Sequence, residues 1–319
     1  MITLSQVTDL FQGLSRHHRE VTELVKAGKA EQERGDYPAA FASYENALKL
    51  NPASRPAREG EARAAMRWLD NIRGDGHTFT EVADRLLPVL DQAATSAKGS
   101  QAADLAAHVG WANFLKYREG SREGVTVEEN YRRAIALDPN NVYAHAMWGH
   151  WILWQNGNLD EAKRHFSAAL ASGRERSYVR GLQLSALLNL ERPDAEAELV
   201  RVANEMRKSG ESIPERDRNR ILDDYEMAFH DHHALVALLS ALPPADAEAT
   251  FVWLDAGRGD EPQLKNWRRD FVAANLKEIA GDRTEALSTY QSLQKELRGS
   301  SSALVSSVDD GIRRLSGKR

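Results

Sequence analysis

Three stretches of this chain can be laid on one template, and that repetition limits what it can fold into more than any other feature. They are "VTELVKAGKAEQERGDYPAAFASYENALKLNP" (21–52), a copy ending in "YRRAIALDPNN" (131–141), and "NVYAHAMWGHWILWQNGNLDEAKRHFSAAL" (141–170). "DFVAANLKEIAGDRTEALSTYQSLQKEL" (270–297) is a fourth, weaker copy. Each copy reads as two amphipathic helices with a Gly-containing turn between them. One such hairpin has too little apolar area to fold alone, and stacking on its neighbours buries a continuous core. The expected fold class is therefore all-α, a helical-repeat α-α superhelix (solenoid) with degenerate repeats.

The rest of the chain agrees with that reading. Helices are expected near 19–34, 37–50, 55–73, 79–97, 101–119, 126–137, 141–156 and 159–172. More follow near 176–190, 193–209, 214–230, 232–241, 245–256, 261–280, 282–298 and 301–316, with another at 3–12. They are separated by short Gly, Pro, Asn or Ser punctuation, and no segment shows strand-like alternation. Pro88 lies inside "ADRLLPVLDQ" and predicts a kink or a restart there. One repeat domain over 1–319 is expected, with clear repeats near 21–54, 108–141, 142–175 and 267–298. Degenerate helical pairs would fill 55–107 and 176–260, and 301–316 would be a C-terminal capping helix.

Composition narrows the function classes. A net charge of −5 offers no global field for nucleic acid or an anionic membrane. No run of eighteen apolar residues is present, so no membrane insertion is expected. Cysteine is absent, which removes thiolate nucleophiles and thiolate metal sites and suits a cytoplasmic setting. The start of the sequence lacks a secretory pattern. No nucleophile elbow, phosphate loop, HExxH or dinucleotide fingerprint occurs, so no catalytic residue, cofactor or metal site is expected.

Three clusters remain. "WGHWILW" (148–154) holds three of the seven Trp residues. On a helix this stretch is apolar nearly all round, as a helix buried on several sides would be. Trp148 and Trp151 are expected in the core, leaving His150, Leu153 and Trp154 to touch a partner. "HDHH" (230–233) could hold part of a metal site, but reads better as a helix boundary where Asp231 caps. "RHHR" (16–19) is read the same way. "GRERSYVR" (173–180) places Arg174, Arg176 and Arg180 where an acidic peptide could meet them. "ERDRNR" (215–220) reads as a solvated helix face.

The repeated residues resemble the tetratricopeptide repeat family. In the first copy these are Gly28, Gly35-Asp36-Tyr37, Ala40, Tyr44, Ala47, Leu50 and Pro52. In the second they are Trp111, Tyr131, Ala134 and Pro139. The third has Gly149, Gly157, Ala162, Phe166 and Ala169, and the fourth Ala274, Gly281, Ala286 and Tyr290. The four units cover less than half of the chain. The resemblance implies a concave groove, lined by the first helix of each pair, that holds peptides or protein segments. The groove positions it implies are Val25, Lys29, Gln32 and Glu33 in the first unit, and Val109, Ala112, Lys116 and Glu119 in the second. In the third they are Tyr143, Ala146, His150, Leu153 and Trp154, and in the fourth Arg268, Phe271, Asn275 and Glu278. Members that clamp a chaperone carboxyl terminus have Lys and Asn where this chain has Val25 and Lys29, so that mode is not expected. The expected role is a non-catalytic scaffold for a protein or peptide partner. Self-assembly into a homo-oligomer, or an α/α enzyme using the histidines, are the alternatives.

Overall fold

The computed structural model describes residues 4–72, 76–122, 124–190, 192–213, 218, 242–256, 262–302 and 304–317. Every regular element among them is a helix. In chain order these are α1 (Leu4–Glu33), α2 (Tyr37–Leu50), α3 (Arg55–Asp70), α4 (Phe79–Ser96), α5 (Gly99–Arg118), α6 (Val127–Leu137) and α7 (Val142–Trp154). They continue as α8 (Leu159–Ala171), α9 (Arg176–Leu187), α10 (Pro193–Lys208), α11 (Pro244–Ala256), α12 (Pro262–Ile279), α13 (Arg283–Glu296) and α14 (Leu304–Ser316). The helix expected at 232–241 lies outside the described residues, as does "HDHH", and of the one expected at 214–230 only residue 218 is described. The separate helix expected at 3–12 is instead the beginning of α1, which runs unbroken to Glu33. Likewise α4 stays one helix through Pro88.

Turn chemistry explains where the helices begin. Gly35 and Gly281 take left-handed φ values of 79° and 87°, a region that only glycine enters without steric cost. The following residue then caps the next helix. Asp36 accepts from the Ala39 N–H at 3.2 Å, and Asp282 accepts from the Glu285 N–H at 3.1 Å. In the third copy, which has one extra residue in this stretch, Asn156 takes the left-handed position and Asn158 accepts from the Glu161 N–H. The turns after the second helices repeat as well. Asn51 and Asp138 accept from the amides of Ala53 and Asn140, while Ser54 and Asn141 cap α3 and α7. Such a cap stabilises a helix by about 1 kcal/mol.

The chain divides into two compact units, Met1–Trp151 with His165–Arg174, and Ile152–Arg164 with Glu175–Arg319. Within the first, each helix from α1 to α6 packs on the next, and α1 also touches α3 while α3 touches α5. The second helices carry a buried aromatic ring that is received by glycine. A Cβ built on Gly28 would lie 2.9 Å from the Tyr44 ring, and one on Gly60 only 2.3 Å from it. Gly28 is in the partner helix α1, and Gly60 is in the following helix α3. So one ring is gripped from both sides. Tyr131 on α6 meets Gly110 of α5 in the same way, at 2.6 Å. Tyr290 on α13 meets Gly311 of α14 at 2.8 Å in the second unit, where α12 also touches α14. The small residues Ala40, Ala47 and Ala57 are fully buried in the same unit.

The second unit is held by buried charge as well as apolar packing. The Arg180 guanidinium is fully buried and donates to Glu211, Gln183 and Glu205. Arg176 joins the same Glu211 at 2.7 Å. Arg180 of "GRERSYVR" is thus engaged inside the protein, and Arg176 is paired with Glu211, instead of both awaiting an acidic peptide.

The grip on Tyr44 generates a prediction. Gly60→Ala gains about 1 kcal/mol of helix propensity but forces a methyl into the ring, an overpacking that costs about 1–3 kcal/mol. Urea unfolding is expected to show a net loss in G60A. That loss disappears when Tyr44 is also cut to Ala, because the clash then has no second party.

Candidate functional site

The first helices of the first unit leave one open concavity of about 740 Å³. Val25, Lys29, Gln32 and Glu33 line it from α1, and Arg55, Glu59, Arg63, Met66, Arg67 and Asp70 from α3. Asp104 and His108 on α5 and Tyr143 on α7 form its far end. The four expected groove residues of α1 therefore all line the same concavity. Its lip is polar and exposed, with the Lys29 side chain 76% exposed and 3.9 Å from Glu33. Arg55 donates to Glu59 at 2.7 Å. Tyr44 contributes its hydroxyl, which donates to Gln32 Oε1 at 2.9 Å.

Beyond α1, most of the expected groove residues are elsewhere. Val109 and Ala112 are buried, and α5 presents Asp104 and His108 instead. Lys116 pairs with Asp84 at 2.5 Å, and Glu119 accepts the Phe79 and Thr80 amides at the start of α4. Both therefore tie α5 to α4. Ala146, His150 and Leu153 are buried, His150 because its small ring fits against the rings of Trp111 and Phe114 at 5.3 and 5.2 Å. Trp148, Trp151 and Trp154 are half-buried, with Trp148 against His165 at 4.6 Å and Trp151 against Tyr117 at 5.1 Å. The expected division of "WGHWILW" is corrected on this point. Trp154 belongs to the second unit. In the fourth copy Arg268, Phe271 and Asn275 are buried. Arg268 is held by Asp255 at 2.9 Å, and Asn275 accepts the Tyr290 hydroxyl at 2.6 Å while donating to the Phe271 carbonyl. Glu278 accepts from Arg314.

The far end of the groove is its chemically distinctive part. His108 is buried, with its side chain only 1% exposed. Its Nδ1–H donates to the Asp104 carbonyl at 2.6 Å, and its Nε2 lies 3.5 Å from Asp70 Oδ2. The Tyr143 ring lies 4.7 Å from the imidazole. The Asp104 carboxylate takes the Asn141 side-chain amide at 2.6 Å, and burial raises its pKa. For His108 burial opposes the charged ring most strongly. The charge of Asp70, the bond to the Asp104 carbonyl and the Asp104 charge together outweigh it, so the ring's pKa is raised. Residues 99–115 offer the signal that could have located this end. Asp104 and His108 are the only titratable residues there, and they share one helical face.

A smaller cavity of about 340 Å³ lies between α3 and α4. Glu61 lines it, its carboxyl pushed up to about 7 by burial and then by the Glu45 charge. Among the described residues, no group of three His, Asp or Glu could hold a metal ion. No helix among them is long and apolar enough to cross a membrane. No protein-family model matches the chain, and no curated protein matches it in sequence.

Two pH dependences follow. A base with a raised folded pKa stabilises the fold fully below its ordinary value, 6.5 for His108, and that contribution is lost as pH rises through the raised value. The stability deficit of His108→Gln is expected to be largest in acid and to shrink as pH rises, in urea titrations from roughly pH 5 to 9. Glu61 has a raised acid pKa, so its ionisation weakens the fold as pH rises from 4.5 through about 7. Glu61→Gln should match the wild type in acid and exceed it above neutrality by roughly 1 kcal/mol, the group being half-exposed and screened.

Proposed function

We propose that this chain is a non-catalytic interaction module of the tetratricopeptide repeat type, and that the first unit's groove holds an extended or helical protein segment. The observation that carries this reading is the open concavity of about 740 Å³ lined by successive first helices. Its walls mix the features that segment recognition uses, with aliphatic Val25 and Met66, aromatic Tyr37 and Tyr143, and charged Lys29, Arg63 and Arg67. The repeated Gly-Asp turns and the ring-in-glycine packing support the family resemblance. Val25 and Lys29 stand where a chaperone-tail clamp would need other side chains, so the segment is not expected to be held by its terminal carboxylate. The absence of cysteine suits a reducing compartment, and the cytoplasm is the proposed setting.

Selection of a displayed peptide library against the full chain tests this reading. Enriched peptides should bind Lys29→Glu and Arg63→Glu roughly tenfold more weakly, about 1.4 kcal/mol. Unfolding midpoints should hardly move, because both side chains are exposed. Failure to enrich any peptide, or affinity indifferent to both substitutions, would defeat the proposal. A mass that grows with concentration in sedimentation would favour self-assembly instead.

A further inference from the structure

The smaller cavity between α3 and α4 shares only Arg55 and Glu59 with the groove. At about 340 Å³ it has the size of a small-molecule site. Ala62, Val89 and Ala93 give it an apolar wall, and Gln92 and Gln101 add neutral amides. Two side chains of opposite charge also line it, Glu61 on α3 and Lys98 at the turn into α5. They do not pair with each other, and neither side chain has a hydrogen-bond or ion-pair partner among the described residues. The remaining charges of the cavity are engaged. Arg55 donates to Glu59 at 2.7 Å, and Arg58 turns back to the Ala53 carbonyl at 3.4 Å.

Glu61 is half-buried, and the charge that acts on it is that of another carboxylate, Glu45. Burial and like charge both oppose its ionisation, and no cation is near enough to offset them. Glutamine would fill the same volume without that cost, so packing alone does not account for an acid here.

We propose that this cavity is a binding site for a small zwitterion, a molecule with an ammonium and a carboxylate on a short apolar frame, as in an amino acid. The ammonium pairs with Glu61 and the carboxylate with Lys98. The guanidinium of Arg58 has further N–H donors for the same carboxylate. The frame lies against Ala62, Val89 and Ala93. A simple cation would leave Lys98 and Arg58 unanswered and be repelled by them, and a simple anion would meet Glu61. This site stands apart from the groove and does not depend on what the groove holds.

The charged groups around Glu61 are Glu45 on α2, Arg55, Arg58 and Glu59 on α3, and Lys98 before α5, while the α4 residues of the cavity are uncharged. Burial and Glu45 keep a proton on Glu61 up to about 7, and an arriving ammonium displaces it. Binding therefore releases a proton and tightens from roughly pH 6 to 8.

The test uses the full chain with glycine, β-alanine and γ-aminobutyrate, zwitterions of increasing charge separation. Ethylamine and sodium acetate are the single-charge controls. Calorimetry in two buffers reads affinity and proton release together. At least one zwitterion should bind saturably, roughly tenfold or more tightly than either control, and release a proton near neutral pH. Glu61→Gln should weaken it roughly tenfold and abolish the proton release. This variant is expected to be no less stable than the wild type, so the loss does not reflect unfolding. Lys98→Gln should bring a similar loss without moving Tm, because Lys98 is exposed. The proposal is overturned if no zwitterion binds, if a control binds as tightly as the best zwitterion, or if binding survives both substitutions.

Discussion

The structure depends on an aromatic ring on the second helix of a pair pressed against the bare backbone of a glycine. Tyr44 shows it fully, between Gly28 of the preceding helix and Gly60 of the following one. A ring held from both sides joins two successive hairpins into one core, which neither hairpin has enough apolar area to form alone. The geometry tolerates little, because interiors are packed to the density of organic crystals. Tyr131 and Tyr290 repeat the arrangement against Gly110 and Gly311. Their hydroxyls differ in fate. Those of Tyr44 and Tyr290 reach side-chain acceptors, whereas that of Tyr131 is buried with no hydrogen-bond partner. The ring, not the hydroxyl, is the shared element.

This packing also decides where function can reside. Holding the first helices close aligns one face of α1, α3 and α5 on a common concavity, and the second helices form the layer behind it. Side chains pointing sideways from a first helix are consumed in helix–helix contact, as Val109, Ala112 and His150 are. Only those on the remaining narrow face reach the groove. That face is aliphatic and charged on α1 and rich in arginine on α3. On α5 it narrows to Asp104 and His108, within a helix otherwise dominated by Ala, Leu and aromatic residues. The buried acid–imidazole group at that end is expensive to maintain in a pure packing role, since burial opposes every charge in it.

Much of the fold was legible in the sequence because its signals are local. Gly35-Asp36 and Gly281-Asp282 mark turns through the left-handed backbone and the capping carboxylate. Ser54 and Asn141 mark the next helix starts. The groove was legible on α1, where the small residue Gly28 sets the register cleanly, and at Tyr143 on α7. On α5 and at the other implied positions of α7 the side chains were displaced, because rotation of a helix about its axis depends on what its neighbours can accommodate. Gly60 passed unremarked because it belongs to the following helix and grips Tyr44 from the far side. Arg268 and Asn275 looked like groove residues since both are polar. Their partners Asp255 and Tyr290 lie 13 and 15 positions away, beyond the reach of any helical-period argument.

What the sequence by itself determined is the all-helical repeat character, most helix boundaries of the described residues and the aromatic and small positions of the hairpins, all set by neighbours within a few residues. Only the tertiary structure decided which faces remained open. In "WGHWILW" the small imidazole of His150 and the side chain of Leu153 went inside, while the three indoles stayed half-exposed along the edges. In α5 the pair Asp104 and His108 became the floor of a groove. The physical reason is the same in both places. Helical periodicity says which residues share a face, but the volume left between packed helices selects the face that is buried.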